Sequence, residues 1–309
     1  SLKEIFLLRT KITESPIMST EKRHIIVPID FSEQSQIALS QTYNLARMSN
    51  ADITLLHVID EALFSSVLHL FTSNENQEDL LRVGIQTKLE ELANDARAKS
   101  GLVFKTRIEK GKIYEVVSAV AQEMNAAFIV MGTSGETTLK KKFIGSNAVR
   151  VISDAPCPVI TIKGKQHHSG CNTIVLPLDL SKETKEKVDK CIEIAKFFGS
   201  TVKVMTVLVT HDEFLMNKLV RQMEQVVEII SKHGITCSGE FHNQSDISDG
   251  VIAYSEKVNA DLIIIMTQKE LEWRQFIIGT ESQQIINSTE IPVCSIRPIE
   301  RKDTTEYVV

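Results

Sequence analysis

The chain has 309 residues, of which 42% are hydrophobic and 24% charged, and its formal net charge is -5. This length predicts two domains, and the composition is that of ordinary globular proteins. The net negative charge argues against a protein that binds nucleic acid, because such proteins carry a basic surface for the phosphate backbone.

Neither a membrane segment nor a metal or disulfide framework is predicted. No apolar run approaches the roughly 18–20 residues of a membrane helix. The 5 cysteines are odd in number and include no Cys-x-x-Cys pair, which favours free thiols in a reducing, cytoplasmic location. Residues 1–22 lack the apolar core of a secretory signal and are interpreted as an N-terminal extension.

In the first half, short apolar segments alternate with helical patterns. The first strand is predicted at residues 25–29, and Pro28 near its end marks where strand pairing stops. Ser32 is a suitable N-cap for the helix that follows. Further strands are predicted at residues 53–59, 104–109, 128–131 and 159–162. The helices between them are predicted at residues 79–98, 113–123 and around 149–153.

The second half repeats this pattern. Residues 24–32 (HIIVPIDFS) return as residues 173–181 (TIVLPLDLS), and residues 125–131 (NAAFIVM) return as residues 259–265 (NADLIII). The two offsets are 149 and 134, so the second copy is 15 residues shorter in its middle. Its strands are predicted at residues 202–209, 235–241 and 262–266, and its later helices at residues 213–232 and 251–258. The predicted divisions are an extension at 1–22, domains at 23–165 and 171–298, and a tail at 299–309.

The segment after the fourth strand carries the clearest signal for ligand binding. Gly132 and Gly135 leave this strand, and the pair Gly145-Ser146 follows after nine further residues. Gly132 allows the chain to turn sharply, and Gly135 allows the backbone to approach a ligand. Gly145-Ser146 opens a helix whose free amides and dipole favour a phosphate. The three lysines at 140–142 are compatible with added positive potential or with a solvated loop.

Other nucleotide-binding classes do not fit this arrangement. The chain has no Gly-x-x-x-x-Gly-Lys-Ser/Thr sequence, which excludes a P-loop NTPase, and no Gly-x-Gly-x-x-Gly after the first strand, which argues against a dinucleotide dehydrogenase. Near the first strand there is also no Ser-Gly-Gly-x-Asp-Ser or His-x-Gly-His signature of the ATP-pyrophosphatase or adenylyl-transfer enzymes.

The combined pattern resembles the universal stress protein family. It consists of a strand ending in Val-Pro-x-Asp-x-Ser, followed later by Gly-x-x-Gly, nine residues and Gly-Ser. The resemblance covers both halves, from about His24 to about Arg297, so the chain is similar to a tandem member. It implies an α/β fold with two tandem doubly wound five-stranded parallel-sheet domains, of the adenine nucleotide alpha hydrolase-like type.

The resemblance also implies that the first domain holds ATP between its first and fourth strands. Mg²⁺ would accompany the ATP through phosphate oxygens and water. For Asp30 a second role stays open, which is to order the turn into the first helix. The implied binding residues are Pro28, Ile29 and Asp30 for the nucleoside, Ile53 for adenine, Met131, Gly132 and Gly135 for ribose and phosphates, and Gly145, Ser146 and Asn147 for phosphate oxygens.

The second domain departs from this pattern. Met266 and Lys269 stand where the first copy has its two strand-proximal glycines, and only Gly279-Thr280 survives. A methionine side chain there would obstruct a ligand, so we expect this domain to serve mainly as a docking partner. By resemblance, Val159–Ile162 would pair with Val293–Ile296 inside the chain, and a homodimer is also left open.

Two functions remain open from the sequence. The first is an ATP-binding stress or signalling protein whose nucleotide state changes its interactions. The second is a dimerisation or partner-binding module in which the glycines only make a turn. No nucleophile–base pair can be assembled, and His57 is expected to be packed and hydrogen-bonded, so at most slow ATP hydrolysis is expected.

Overall fold

The computed structural model is an α/β structure built from two similar halves. It describes residues 23–61, 75–133, 144–164, 170–179, 184–208, 212–269 and 276–298.

The N-terminal half alternates strands and helices. Its strands are β1 (Arg23–Pro28), β2 (Ala51–Asp60), β3 (Phe104–Gly111), β4 (Phe128–Gly132) and β5 (Val159–Ile162). Its helices are α1 (Glu33–Ser49), α2 (Glu75–Ser100), α3 (Ile113–Glu123) and α4 (Ser146–Asp154).

The C-terminal half repeats the series and adds a short ribbon. Its strands are β6 (Thr173–Pro177), β7 (Thr201–Leu208), β8 (Cys237–Asn243), β9 (Leu262–Met266), β10 (Gln268–Lys269), β11 (Phe276–Ile277) and β12 (Val293–Ile296). Its helices are α5 (Thr184–Phe198), α6 (Glu213–Lys232), α7 (Ile247–Lys257) and α8 (Thr280–Ser288).

The predicted strands and helices are present, with ends that differ by a few residues. The third strand of the second half, for example, begins at Cys237 rather than at residue 235. Pro28 is the last residue of β1, and the Ser32 side chain caps α1 by accepting a hydrogen bond from the Ser35 amide. The ribbon β10–β11 is not predicted by the sequence pattern.

The strands form one sheet with the order β3-β2-β1-β4-β5-β12-β9-β6-β7-β8. Within each half of this sheet every pairing is parallel, and the ribbon β10–β11 lies outside it, so the predicted pair of five-stranded parallel sheets is confirmed. The two sheets join through β5 and β12, which pair antiparallel with Ile160 opposite Cys294. The expected pairing of the two last strands is therefore present.

Both faces of the N-terminal sheet are covered by helices. On one face Ile25 and Val27 of β1 are fully buried in a cluster that includes residues of α1 and α2. On the other face Ile26 is buried in a cluster with residues of α3 and α4. This two-sided burial explains why the strands read as continuous apolar runs. It also leaves the strand ends as the place where polar groups can meet a ligand.

An aromatic cluster joins the two halves on the α1 face. The ring of Phe128 on β4 lies 5.3 Å from that of Phe197 and 5.6 Å from that of Phe198 on α5, centroid to centroid. The guanidinium of Arg23 lies 4.2 Å from the Phe197 ring centroid. The hydrophobic core on this face therefore continues from one half into the other.

The cysteine thiols are free, as expected. Burial raises the pKa of the Cys171 thiol to about 12. A thiol with so high a pKa is protonated near neutral pH and is a poor nucleophile. Within the described ranges, no helix combines the length and apolar character needed to cross a membrane.

The aromatic cluster predicts a large stability effect. Phe198 is 4% exposed, and replacing it by alanine should lower the free energy of unfolding by about 3–5 kcal/mol, because the cavity cannot be refilled easily. The control is Phe214→Ala, since Phe214 is 77% exposed and its loss should change stability little. Urea denaturation of both variants tests this, and equal stabilities would contradict a shared core.

Candidate functional site

The carboxyl ends of β1 and β4 form the crevice that the fold offers to a ligand. These two strands are neighbours, and the chain order of the strands reverses between them. In open α/β sheets such a reversal opens a crevice outside the strand ends. Three local structures line it, namely the turn after β1, the end of β4 and the start of α4.

The turn after β1 is ordered by its own side chains. The Ser32 amide and hydroxyl both donate to Oδ1 of Asp30, at 3.0 Å and 2.5 Å. The Ile29 amide donates to the Leu56 carbonyl oxygen of β2 at 2.8 Å. Asp30 is exposed at the sheet edge, Pro28 is half-buried and the Ile29 side chain lies in the core. The turn-ordering role that was left open for Asp30 is therefore observed.

Phe31 holds this turn in a strained conformation. Its φ is 64°, in the left-handed region that a bulky side chain rarely occupies. Its ring centroid lies 5.0 Å from that of His57, and the Lys88 ammonium lies 4.5 Å from its ring centroid. Its carbonyl oxygen accepts a hydrogen bond from Gln36 at 3.1 Å. These contacts offset backbone strain of about 1–3 kcal/mol.

His57 is the packed, hydrogen-bonded residue that was expected, and it also supports the turn. Its Nδ1 lies 2.7 Å from the Ile29 carbonyl oxygen, so Nδ1 carries the proton and donates. Burial lowers the pKa of His57, and Lys88 lowers it further, while the Ile29 hydrogen bond and Asp30 act in the opposite direction. The net direction is downward, so the structure favours the neutral imidazole.

The end of β4 runs very close to the first turn of α1. A Cβ built on Gly132 would lie 3.0 Å from the carbonyl carbon and oxygen of Gln34. The φ of Gly132 is outside the left-handed region, so its backbone angle alone does not require glycine. Glycine is needed because two backbones approach each other here. Next to this contact, Oε1 of Gln34 is buried and has no hydrogen-bond partner among the described residues.

The start of α4 presents uncapped backbone amides. Gly145 is the N-cap, with φ -68° and ψ 150°, and as a glycine it has no side chain with which to cap the helix. Its amide donates to the Thr133 carbonyl oxygen at 2.7 Å, which holds the start of α4 beside the end of β4. Ser146 and Asn147 are exposed in the first turn. The first amides of a helix lack intrahelical partners and carry partial positive charge, so this end can bind an anion.

Some predicted binding residues do not reach the crevice. Ile53 pairs with Ile25 near the amino end of the strands and is fully buried, so its assignment to the adenine is wrong. The part of β2 beside the end of β1 is Leu56 and the residues after it. The Met131 side chain is 7% exposed and packs in the core. Gly135 and the lysines at 140–142 lie outside the described residues.

Sequence reasoning missed Gln34 as a residue of the crevice. Its position in the first turn of the helix after β1 is a usable signal, because such a turn lies at the ligand-binding edge of the sheet. The sequence gives no comparable signal that Phe31 and Lys88 support the turn after β1. That support depends on contacts of Phe31 with β2 and α2 and on its unusual backbone angle.

The corresponding strand ends of the C-terminal half carry different side chains and different contacts. The Lys187 side chain is 7% exposed, and its Nζ lies 3.8 Å from Oδ1 of Asp179. The equivalent position in the first half is Ala38. Nε2 of Gln222 donates to the Asp179 carbonyl oxygen at 2.9 Å. Met266 ends β9, and the antiparallel ribbon β10–β11 follows it.

The fold defines a tandem α/β protein with a strand-end crevice in its N-terminal half. The chain matches the model of the Universal stress protein family twice, over residues 22–163 and 171–297. It therefore belongs to the universal stress protein family, as the sequence motifs predicted.

Individual relatives agree with this assignment. One universal stress protein of Methanocaldococcus jannaschii is 29% identical to the chain, in an alignment that covers 48% of this chain and 99% of the relative. A second from the same organism is 30% identical, over 52% of this chain and 97% of the relative. Each of these relatives covers about half of the chain, because the chain contains two matches to the family model. A universal stress protein structure from Archaeoglobus fulgidus shares the fold over 89% of this chain and 96% of its own, with a TM-score of 0.67 and 20% identity.

The environment of His57 predicts a pH dependence of stability. Because its pKa is lower in the folded state than the usual value of about 6.5, the neutral form stabilises the fold above that pH, and this contribution is lost as pH falls through the folded-state pKa. Between about pH 7.5 and pH 5, wild-type protein should lose more free energy of unfolding than His57→Asn. Urea titrations at both pH values measure this, and parallel losses would contradict the assignment.

Proposed function

We propose that the N-terminal half binds one ATP in the β1–β4 crevice, and that the bound nucleotide changes the interactions of the protein in a stress response or in signalling. The observation that carries this proposal is the uncapped start of α4, which lies beside the glycine end of β4. The C-terminal half would bind no nucleotide.

The phosphate end of the proposed site is the first turn of α4. Its free amides and helix dipole suit an oxyanion without any basic side chain. The Ser146 hydroxyl and the Asn147 amide are exposed at this turn and would add donors to phosphate oxygens. Gly145 is held against Thr133, so the start of the helix is fixed before the ligand arrives.

The nucleoside end would lie between the turn after β1 and the end of β4. The buried Oε1 of Gln34 can accept a hydrogen bond, and a buried acceptor without a partner costs about 1–3 kcal/mol. The ribose hydroxyls and the adenine amino group are donors that would satisfy it. Asp30 and Pro28 would contact the nucleoside at the outer edge, since the Ile29 side chain points into the core.

A magnesium ion would enter with the phosphates. Mg²⁺ usually keeps several water ligands and binds through phosphate oxygens rather than through a protein cage. His57 is engaged with Ile29, and Asp30 with Ser32, so neither is arranged as a general base for water attack. Hydrolysis would therefore be slow, and binding rather than turnover would be the function.

The half-specific claim is supported by the differences between the two crevices. At the end of β4, Gly132 lets the backbone of Gln34 approach closely, whereas Met266 places a side chain at the end of β9. Lys187 lies 3.8 Å from Asp179, whereas the residue equivalent to Lys187 in the N-terminal half is Ala38, which brings no charge to Asp30. One nucleotide per chain is the expected stoichiometry.

Ser146→Asp tests the proposed site without weakening the fold. A carboxylate in the first turn of a helix interacts favourably with the helix dipole and so stabilises the helix, but it would repel a bound phosphate. We expect calorimetry with Mg²⁺-ATP to give one site per wild-type chain and at least about tenfold weaker binding for Ser146→Asp.

Thr280→Asp is the matched control, because Thr280 is the equivalent residue in the C-terminal half. It should bind ATP as tightly as wild type. If Thr280→Asp lost binding instead, the nucleotide would be in the C-terminal half. If the wild type bound no ATP, the proposal would fail and the partner-binding module would remain.

A further inference from the structure

Helix α4, which carries the proposed phosphate site, is held at both ends by residues of the C-terminal half. At its start, the Ile144 amide donates to Oδ1 of Asn287 on α8 at 2.6 Å. At its end, the Arg297 guanidinium donates to the Asp154 carbonyl oxygen at 3.1 Å. Residues of β11 also contact α4. The position of this helix therefore depends on the other half.

One of these two contacts has a symmetric counterpart. Lys163 occupies in the first half the place that Arg297 occupies in the second, directly after the last strand. Its ammonium donates to the Asn287 carbonyl oxygen in the last turn of α8. Each half thus binds the carboxyl end of the other half's last helix, as expected for a pairing with approximate twofold symmetry.

Among the residues that the structure describes, the contact between Asn287 and Ile144 has no such counterpart. The residue equivalent to Asn287 is Ser153, whose hydroxyl donates to the Val149 carbonyl oxygen within its own helix. In the C-terminal half, the residues before α8 follow β11, which is paired with β10. In the part of the chain that the structure describes, the entry to α8 thus follows a paired ribbon, whereas the entry to α4 is bonded to Asn287 of the other half.

We propose that Asn287 is a positioning residue for the nucleotide site, and that the C-terminal half acts through it to fix the start of α4. The proposal rests on the proposed function of the N-terminal half. Ile144 immediately precedes Gly145, so its hydrogen bond sets the path of the chain into the first turn of α4. Without this bond the amides that bind phosphate lose their fixed direction. The hydrogen bond between Asn287 and Ile144 would thus position the phosphate site of the N-terminal half, which keeps Gly132 and Gly145.

The test compares ATP with adenosine in calorimetric titrations of the full chain. Asn287→Leu keeps the size of the side chain and removes the acceptor. It should weaken Mg²⁺-ATP binding about three- to tenfold, the effect of one hydrogen bond, and leave adenosine binding within about twofold of wild type. A merely structural loss would weaken both ligands together. Asn287→Ala repeats the comparison if the leucine variant does not fold.

The matched control is Ser153→Ala, which changes the equivalent residue of the N-terminal half and should leave ATP affinity unchanged. If wild type binds ATP and Asn287→Leu binds it equally well, the positioning role is wrong while the proposed function stands. Equal weakening of ATP and adenosine would also overturn the inference. Absence of ATP binding in the wild type would instead reject the proposed function itself.

Discussion

The antiparallel pairing of β5 with β12 is the contact on which the organisation of the chain depends. Each of these strands would otherwise be a sheet edge with unpaired backbone groups. The pairing turns two five-stranded sheets into one continuous sheet. Because β5 follows α4 and β12 follows α8, it also brings the end of α8 to the start of α4. The cross-half hydrogen bond between Asn287 and Ile144 follows from this arrangement.

The two halves share a fold but differ at their strand ends. Both keep the buried strands and the Pro-x-Asp turn, because these serve the core and the first helix. They differ at the end of the fourth strand, where Gly132 allows two backbones to meet and Met266 does not. The C-terminal half instead has Lys187 beside Asp179 and the ribbon β10–β11 after β9. We interpret this half as a support for the other.

The fold could be predicted from the sequence because buried strands, caps and the repeat leave local signals. The apolar run of β4 and the cap Ser32 are examples of such signals. The family motif predicted that the crevice lies at the strand ends. The adenine contact at Ile53 was wrong because the motif does not specify how far along β2 the edge lies. The place of Gln34 depends on the close approach of α1 to Gly132 on β4, which are far apart in the sequence. The contact of Asn287 depends on the pairing of the two halves. No local pattern encodes such contacts.

Hydrogen–deuterium exchange of the full chain with and without Mg²⁺-ATP tests the coupling between the halves most directly. We expect slower exchange on ATP binding in residues 144–149 at the start of α4 and, at a distance, in α8 around Asn287. Residues 262–267 at the end of β9 should be unaffected. Protection at β9, or protection of α4 with no change in α8, would contradict the view that the second half supports the site of the first.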